Sequence, residues 1–317
     1  PDMAADRNSE DKAQVATPTP LISGGDIGNT VGLGVLGVLA WILPAGTLPG
    51  FCRRFGGLNL KTLAGDQAAL VGQIRALLGG REAALAAGAI PAAVAAEDLL
   101  ATMQLLRAYR PGGWSPEIEL KGAEHIEAAA GHGVILWVAH FVHGSLIAKM
   151  AGHRFGHSVS HLSHVRHGFS STRYGMRYLN KVRTVAEDRY IEERIQRTDE
   201  NPTVAMRRLL RKLAKKGMIS ITVRDDSLTP EKSPFLGGEL TFAPGAPDLA
   251  HTTGSVLLPV FPVRHGDKFT LFVDPPIAID PDLDRRDSTA QALREYAGRL
   301  EAQVLKYPDQ WLGWFHL

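Results

Sequence analysis

Residues 133–145, Gly-Val-Ile-Leu-Trp-Val-Ala-His-Phe-Val-His-Gly-Ser, constrain the fold of this chain more than any other stretch. An apolar run of strand length, 134–139, ends abruptly at His140, and small or polar residues follow. A buried strand of this kind delivers His140 to the rim of a sheet, and the chain then turns into a helix that starts at Ser145. That rim is where α/β proteins place their chemistry.

The flanking pattern extends this reading. Helical spacing of apolar residues covers 66–78 (Leu70, Ile74, Leu77) and 94–109 (Leu99, Met103, Leu106), and Pro111-Gly-Gly ends that region. Ile118 and Leu120 alternate as in a short strand, and 123–130 reads as a helix. Strands are expected at 158–165, 218–223, 256–263 and 269–273, a basic amphipathic helix at 202–216, and a final helix at 288–305. Alternating strands and helices predict an α/β fold, a mixed central sheet flanked by helices.

The amino-terminal part differs. Residues 1–25 are mostly polar and small and read as a disordered tail. Residues 26–56 form an apolar segment, with no charge between Ile27 and Cys52 and interruptions at Pro44 and Pro49. A bilayer span takes about 20 such residues. We read the segment as membrane-associating, spanning or half-inserted, with a buried core helix as the alternative. Arg53 and Arg54 follow it, which places the main domain, 57–317, in the cytoplasm by the positive-inside rule. A net charge of +2 gives no global signal for nucleic acid, and a single cysteine, Cys52, excludes an intrachain disulfide.

Imidazole titrates near neutrality, so His140 suits a general base. His143, three residues on, reads as a rim polar residue. Eight of the twelve histidines fall between 132 and 167, but no carboxylate accompanies them at ligand spacing, so no metal site and no cofactor is expected. Arg166, after the strand at 158–165, is a candidate for bidentate phosphate contact, and an arginine- and lysine-rich cluster follows at 207–216. Asp225-Asp226 stand after a strand, and Gly237, Thr241 and Gly245 are candidates for shaping a substrate groove.

Several blocks occur in the order found in a known family. His140 followed five positions later by Ser145 resembles the lysophospholipid acyltransferase signature, in which that fifth residue is Asp or Glu. Ile118-Glu-Leu-Lys-Gly-Ala-Glu-His-Ile126, Gly131-His-Gly-Val-Ile-Leu136, Pro234-Phe-Leu-Gly-Gly-Glu-Leu-Thr-Phe-Ala-Pro-Gly245 and Tyr307-Pro-Asp-Gln-Trp311 with Trp314 resemble the lipid A late acyltransferase branch. The resemblance implies transfer of a fatty acyl group from acyl carrier protein or coenzyme A to a lipid hydroxyl. It also implies a location at the cytoplasmic face of a bacterial inner membrane, with no prosthetic group. By it His140 is the base, and Arg166, Asp225, Gly237, Thr241 and Gly245 contact substrate.

Ser145 departs from the pattern. A hydroxyl can orient the ring but supplies no negative charge. Three outcomes follow: a carboxylate such as Asp225, Asp226, Glu187 or Asp188 approaches from elsewhere, a His–Ser pair works slowly, or the fold is kept as a catalytically degenerate lipid-binding or assembly subunit. Basic residues that the family carries after its last tryptophan are absent after Trp314.

Overall fold

The computed structural model describes residues 19–63, 65–81, 86–198, 201–223 and 230–317. Four helices lead the chain: α1 (Gly24–Ile42), α2 (Leu48–Leu63), α3 (Gln67–Leu78) and α4 (Ile90–Ala108). The α/β body follows as β1 (Glu117–Lys121), α5 (Ala123–Ala128), β2 (Val134–Val138), α6 (Gly144–Arg154), β3 (Val159–His164), α7 (Asn180–Glu187), β4 (Glu193–Arg197), α8 (Pro202–Ala214) and β5 (Met218–Thr222). A hairpin of β6 (Glu231–Phe235) and β7 (Gly238–Phe242), then α9 (Gly245–Thr253), β8 (Val256–His265), β9 (Lys268–Val273) and α10 (Arg285–Lys306) complete it.

Seven strands form one mixed sheet in the order β1-β9-β8-β2-β5-β3-β4. Only β8 and β9 pair antiparallel; the other neighbours run parallel. The sheet is flanked by helices, as the alternation of elements requires. β2 lies at its centre, and all five residues are buried. Successive side chains of a strand point to opposite faces. Ile135, Trp137 and Ala139 therefore enter the core shared with α8, α9 and α10, while Val134, Leu136 and Val138 enter the core under α6. The Trp137 ring packs on Tyr296 of α10 at 4.0 Å between centroids.

Five elements escape the sequence reading: β4, β6, β7, α7 and α9. β4 is an edge strand with one apolar residue, Ile195, among Glu193, Arg194, Gln196 and Arg197. Charge on an edge strand blocks further pairing. The last helix starts at Arg285 rather than 288, because the Asp284 carboxylate accepts from the Arg286 and Asp287 amides and caps it there.

The apolar segment is two helices. α1 is long and apolar enough to cross a membrane, and little of it is buried within the protein. Ile27, Val31, Val35, Val38 and Ile42 form one exposed stripe at helical spacing, whereas Leu33, Leu36, Leu39 and Ala40 pack toward α4. Its carboxyl end is fastened to α4: Arg107 donates to the carbonyls of Ala40 and Leu43, and the Trp41 indole donates to Leu106 O at 3.2 Å. Before α1, the carbonyls of Pro20 and Leu21 accept from the amides of Arg173 and Tyr174.

α2 crosses α4 closely at Gly56. A Cβ on Gly56 would stand 2.8 Å from Ala96 Cα, so one methyl group already displaces backbone. Gly56→Leu is expected to lower stability by about 1–3 kcal/mol, read from chemical denaturation of the purified chain. An unchanged midpoint would show that the two helices separate freely.

Candidate functional site

A cavity of about 480 Å³ opens at the carboxyl ends of β2, β3 and β5, between α6, α8 and α9. Parallel strands leave their carbonyl ends and following loops at such a position, which is where open α/β sheets bind ligands. Trp137, Leu146, Leu162, Leu209, Ile221 and Leu249 make much of the wall apolar. His140 and Ser145 both line it.

His140 is half-buried, two residues past the end of β2. The chain's last segment holds this loop in place. The His140 carbonyl accepts from the Leu312 amide at 3.1 Å, and the Val142 amide donates to Gln310 O at 2.8 Å. Phe141 and Trp311 form an isolated antiparallel bridge, and the His316 ring stacks on His140 at 5.7 Å. Gln310 in turn clamps β8 through both its amide atoms, accepting from Arg264 N at 2.8 Å and donating to Arg264 O at 2.9 Å. The Tyr307–Trp311 block is thus a latch on the histidine loop.

Ser145 belongs to a buried charged cluster. Its Oγ donates to Glu187 Oε1 at 2.9 Å and accepts from Lys149 Nζ at 2.6 Å. Glu187 comes from the end of α7 and is fully buried. Its carboxylate also meets Lys149 Nζ at 3.2 Å, Arg194 Nη2 at 2.9 Å and His167 Nε2 at 3.3 Å. Burial alone would raise the Glu187 carboxyl; Lys149, His167 and Arg183 outweigh it and hold the group well below the usual range. Burial pushes the Lys149 amine down to about 8 against the pull of Glu187. Of the four carboxylates considered from sequence, Glu187 is the one brought onto Ser145. Asp188 turns outward to Arg194, and Asp225 and Asp226 lie outside the described residues.

His143 lines the cavity as well, but it is more than a rim polar residue. It is buried, and its Nε2 lies 3.4 Å from Glu97 Oε2 on α4. Arg264 of β8 donates to both oxygens of the same carboxylate. The α4 residue escaped the sequence reading because its partners are 46 and 167 positions away. Lys149 was missed too, although a lysine inside the apolar run Leu-Ile-Ala-Lys-Met, four residues after Ser145, is the available signal.

The remaining candidates separate. Gly245 lines the cavity, which Arg183 and Arg197 also line. Arg166 is not part of that lining; its amide donates to His164 Nδ1 at 3.1 Å. Gly237 packs on α3, donating to Leu77 O at 2.7 Å, and a Cβ there would meet that oxygen at 2.9 Å. Thr241 lines a separate shallow groove beside α3. His161 is buried against Ser220 at 2.8 Å, and burial holds its ring neutral. Among the described residues no three metal-ligating side chains come together.

Burial would raise Glu97, but hydrogen bonds from His143 and Arg264 hold it at about 2. Its folded-state value is below the unfolded one, so its stabilisation is complete above about pH 5 and is lost as pH falls toward 2. Glu97→Gln is expected to remove an acid-dependent loss on the order of 3 kcal/mol from denaturation curves taken between pH 5 and 2. Identical pH dependence in both proteins would contradict the ion-pair assignment.

No curated protein matches the chain. The family model for bacterial lipid A biosynthesis acyltransferases matches residues 105–317, from the end of α4 through the closing tryptophan segment. The match takes in the whole sheet, the histidine loop and the latch, and the chain belongs to the bacterial lipid A biosynthesis acyltransferase family.

Proposed function

We propose that this chain moves a fatty acyl group from an acyl carrier protein or coenzyme A thioester to a lipid hydroxyl. His140 is the general base in this reading. The family supports lipid acyl transfer, and the apolar cavity with His140 at its rim is a suitable place for it. The imidazole takes the acceptor hydroxyl's proton as the oxygen bonds to the acyl carbon. The thiol departs with a proton, and an ester replaces the thioester.

One observation carries the reading past the loss of the motif acid: the Glu187 carboxylate stands one hydrogen bond behind Ser145. In a Ser-His-Asp triad the buried carboxylate stabilises the imidazolium that forms during transfer. Here the negative charge comes from α7 rather than from the fifth position. Lys149, Arg183 and Arg194 keep that carboxylate ionised.

The exposed stripe of α1 supports membrane association, with the helix lying along the protein on one face and meeting lipid on the other. We place the catalytic domain at the cytoplasmic face of the bacterial inner membrane, where Arg53 and Arg54 follow the apolar segment. Asp225, Thr241 and Gly237 remain substrate-contact candidates through the family resemblance, and Arg166 remains one for acceptor phosphate.

The test is transfer of a radiolabelled acyl chain from carrier protein or coenzyme A to extracted bacterial lipids by the purified chain in vesicles. His140→Ala is expected to lower the rate by about 10²–10⁴-fold with thioester binding retained. Equal transfer by His140→Ala removes His140 as base. A folded wild-type chain that transfers no acyl group overturns the enzymatic reading in favour of a lipid-binding subunit.

A further inference from the structure

We propose that Ser145 is itself an acyl-accepting nucleophile, paired with Lys149, and that the chain carries the acyl group as a serine ester between donor and acceptor. The proposal rests on the acyl-transfer reading above and divides that transfer into two steps. Serine hydroxyls act as nucleophiles when a neighbouring base takes their proton, and a lysine can be that base.

The geometry fits this pairing. Ser145 stands in the first turn of α6, directly after the β2 loop, and lines the cavity. Lys149 lies one helical turn further on, with its side chain 2% exposed and its Nζ 2.6 Å from the Ser145 Oγ. Lys149 does not line the cavity. The hydroxyl therefore faces a bound acyl chain, while the amine sits behind it, sealed from water. The amide ends of a helix's first turn favour negative charge developing on an oxygen there.

The atoms balance without a further reagent. Ser145 Oγ bonds to the thioester carbonyl carbon, its proton passes to the unprotonated amine of Lys149, and the C–S bond breaks. The thiolate leaves with that proton. The acceptor hydroxyl then attacks the serine ester, His140 takes the hydroxyl's proton, the C–Oγ bond breaks, and that proton is released from His140 as Ser145 Oγ is reprotonated, which restores both groups.

At rest the Lys149 ammonium donates to Ser145 Oγ and that hydroxyl donates to Glu187; for the first step the ammonium must lose its proton, so that the amine's lone pair takes the hydroxyl proton in turn. Lys149 is faced by Glu187 and Arg183 of α7, His167 of the following loop of β3, His161 of β3 and Arg194 of β4. Burial brings it to about 8 within that set. Ester formation is therefore expected to rise between about pH 7 and pH 9 and then level off.

Intact-mass spectrometry of the full chain tests this directly. The protein is mixed with palmitoyl-coenzyme A and, separately, palmitoyl-loaded acyl carrier protein, without acceptor, and quenched in acid. The expected result is one palmitoyl adduct, mapped to Ser145 and released by hydroxylamine. Ser145→Ala is expected to form none. Lys149→Arg, which keeps the charge beside Glu187, is expected to form it about 100-fold more slowly. His140→Ala is expected to hold the adduct when acceptor lipid is added.

Transfer to lipid by the wild type with no adduct overturns the covalent step and leaves the transferase reading standing. An adduct at Ser145 that passes only to water supports the covalent step and overturns the lipid acceptor. An adduct on another residue, a Lys149→Arg rate equal to wild type, or neither adduct nor transfer overturns the proposal.

Discussion

The buried Glu187 carboxylate is the interaction on which the site depends. It is fully enclosed, yet it gathers Ser145 and Lys149 from α6, His167 from the loop after β3, and Arg194 from the edge strand β4. A carboxylate out of water is tolerated only with such partners. Loss of a cation weakens that compensation and loss of a hydrogen-bond donor leaves an oxygen unsatisfied, so the four pieces of chain are held in one arrangement. That arrangement sets Ser145 at the cavity wall, five residues beyond His140. Glu187 thus organises this region from behind Ser145.

A second set of contacts fixes the other side. The latch formed by 307–316 supplies the backbone partners of the His140 loop and ties them to β8 through Gln310. Arg264, in the same stretch of β8, also holds Glu97 and through it His143. The histidine loop is therefore strung between the central sheet, α4 and the carboxyl terminus. α4 also carries α1 on its outer face, so the exposed apolar stripe and the cavity are set relative to each other by one helix.

Much of this frame is legible in the sequence, and the reason is local. β2 reads as buried because every residue of 134–139 is apolar, and the break at His140 marks where the strand ends. The strands at β5, β8 and β9 follow from short apolar runs of a similar kind, whereas β3 shows only Val159 and Leu162 among serines and histidines. β4 has only Ile195 to show, since an edge strand with charged neighbours carries no such run. The hairpin at 231–242 contains Pro234 and two glycines and reads as a turn-rich block instead.

The site divides on the same principle. His140 and Ser145 stand close together on the chain and announce themselves. Glu187 could be named only as one carboxylate among four, because it lies 42 residues from Ser145. Glu97 gave no local signal, and Lys149 gave only that of a lysine within an apolar run. A glutamate in an alanine- and leucine-rich helix and a lysine in an apolar one acquire meaning only when the fold supplies Arg264, His143 and Glu187. Long-range pairing of buried charge is a property of the packed molecule, and no local pattern encodes it.

The central claim is that the cavity at the ends of β2, β3 and β5 is where the acyl group reacts. A structure of the chain with a hydrolysis-resistant acyl thioester analogue tests it most directly. The account predicts the alkyl chain inside the cavity, against Leu146, Leu162 and Ile221, with its carbonyl carbon within about 3.5 Å of Ser145 Oγ, a near-attack distance. An acyl chain bound elsewhere, or a carbonyl remote from both Ser145 and His140, would contradict it.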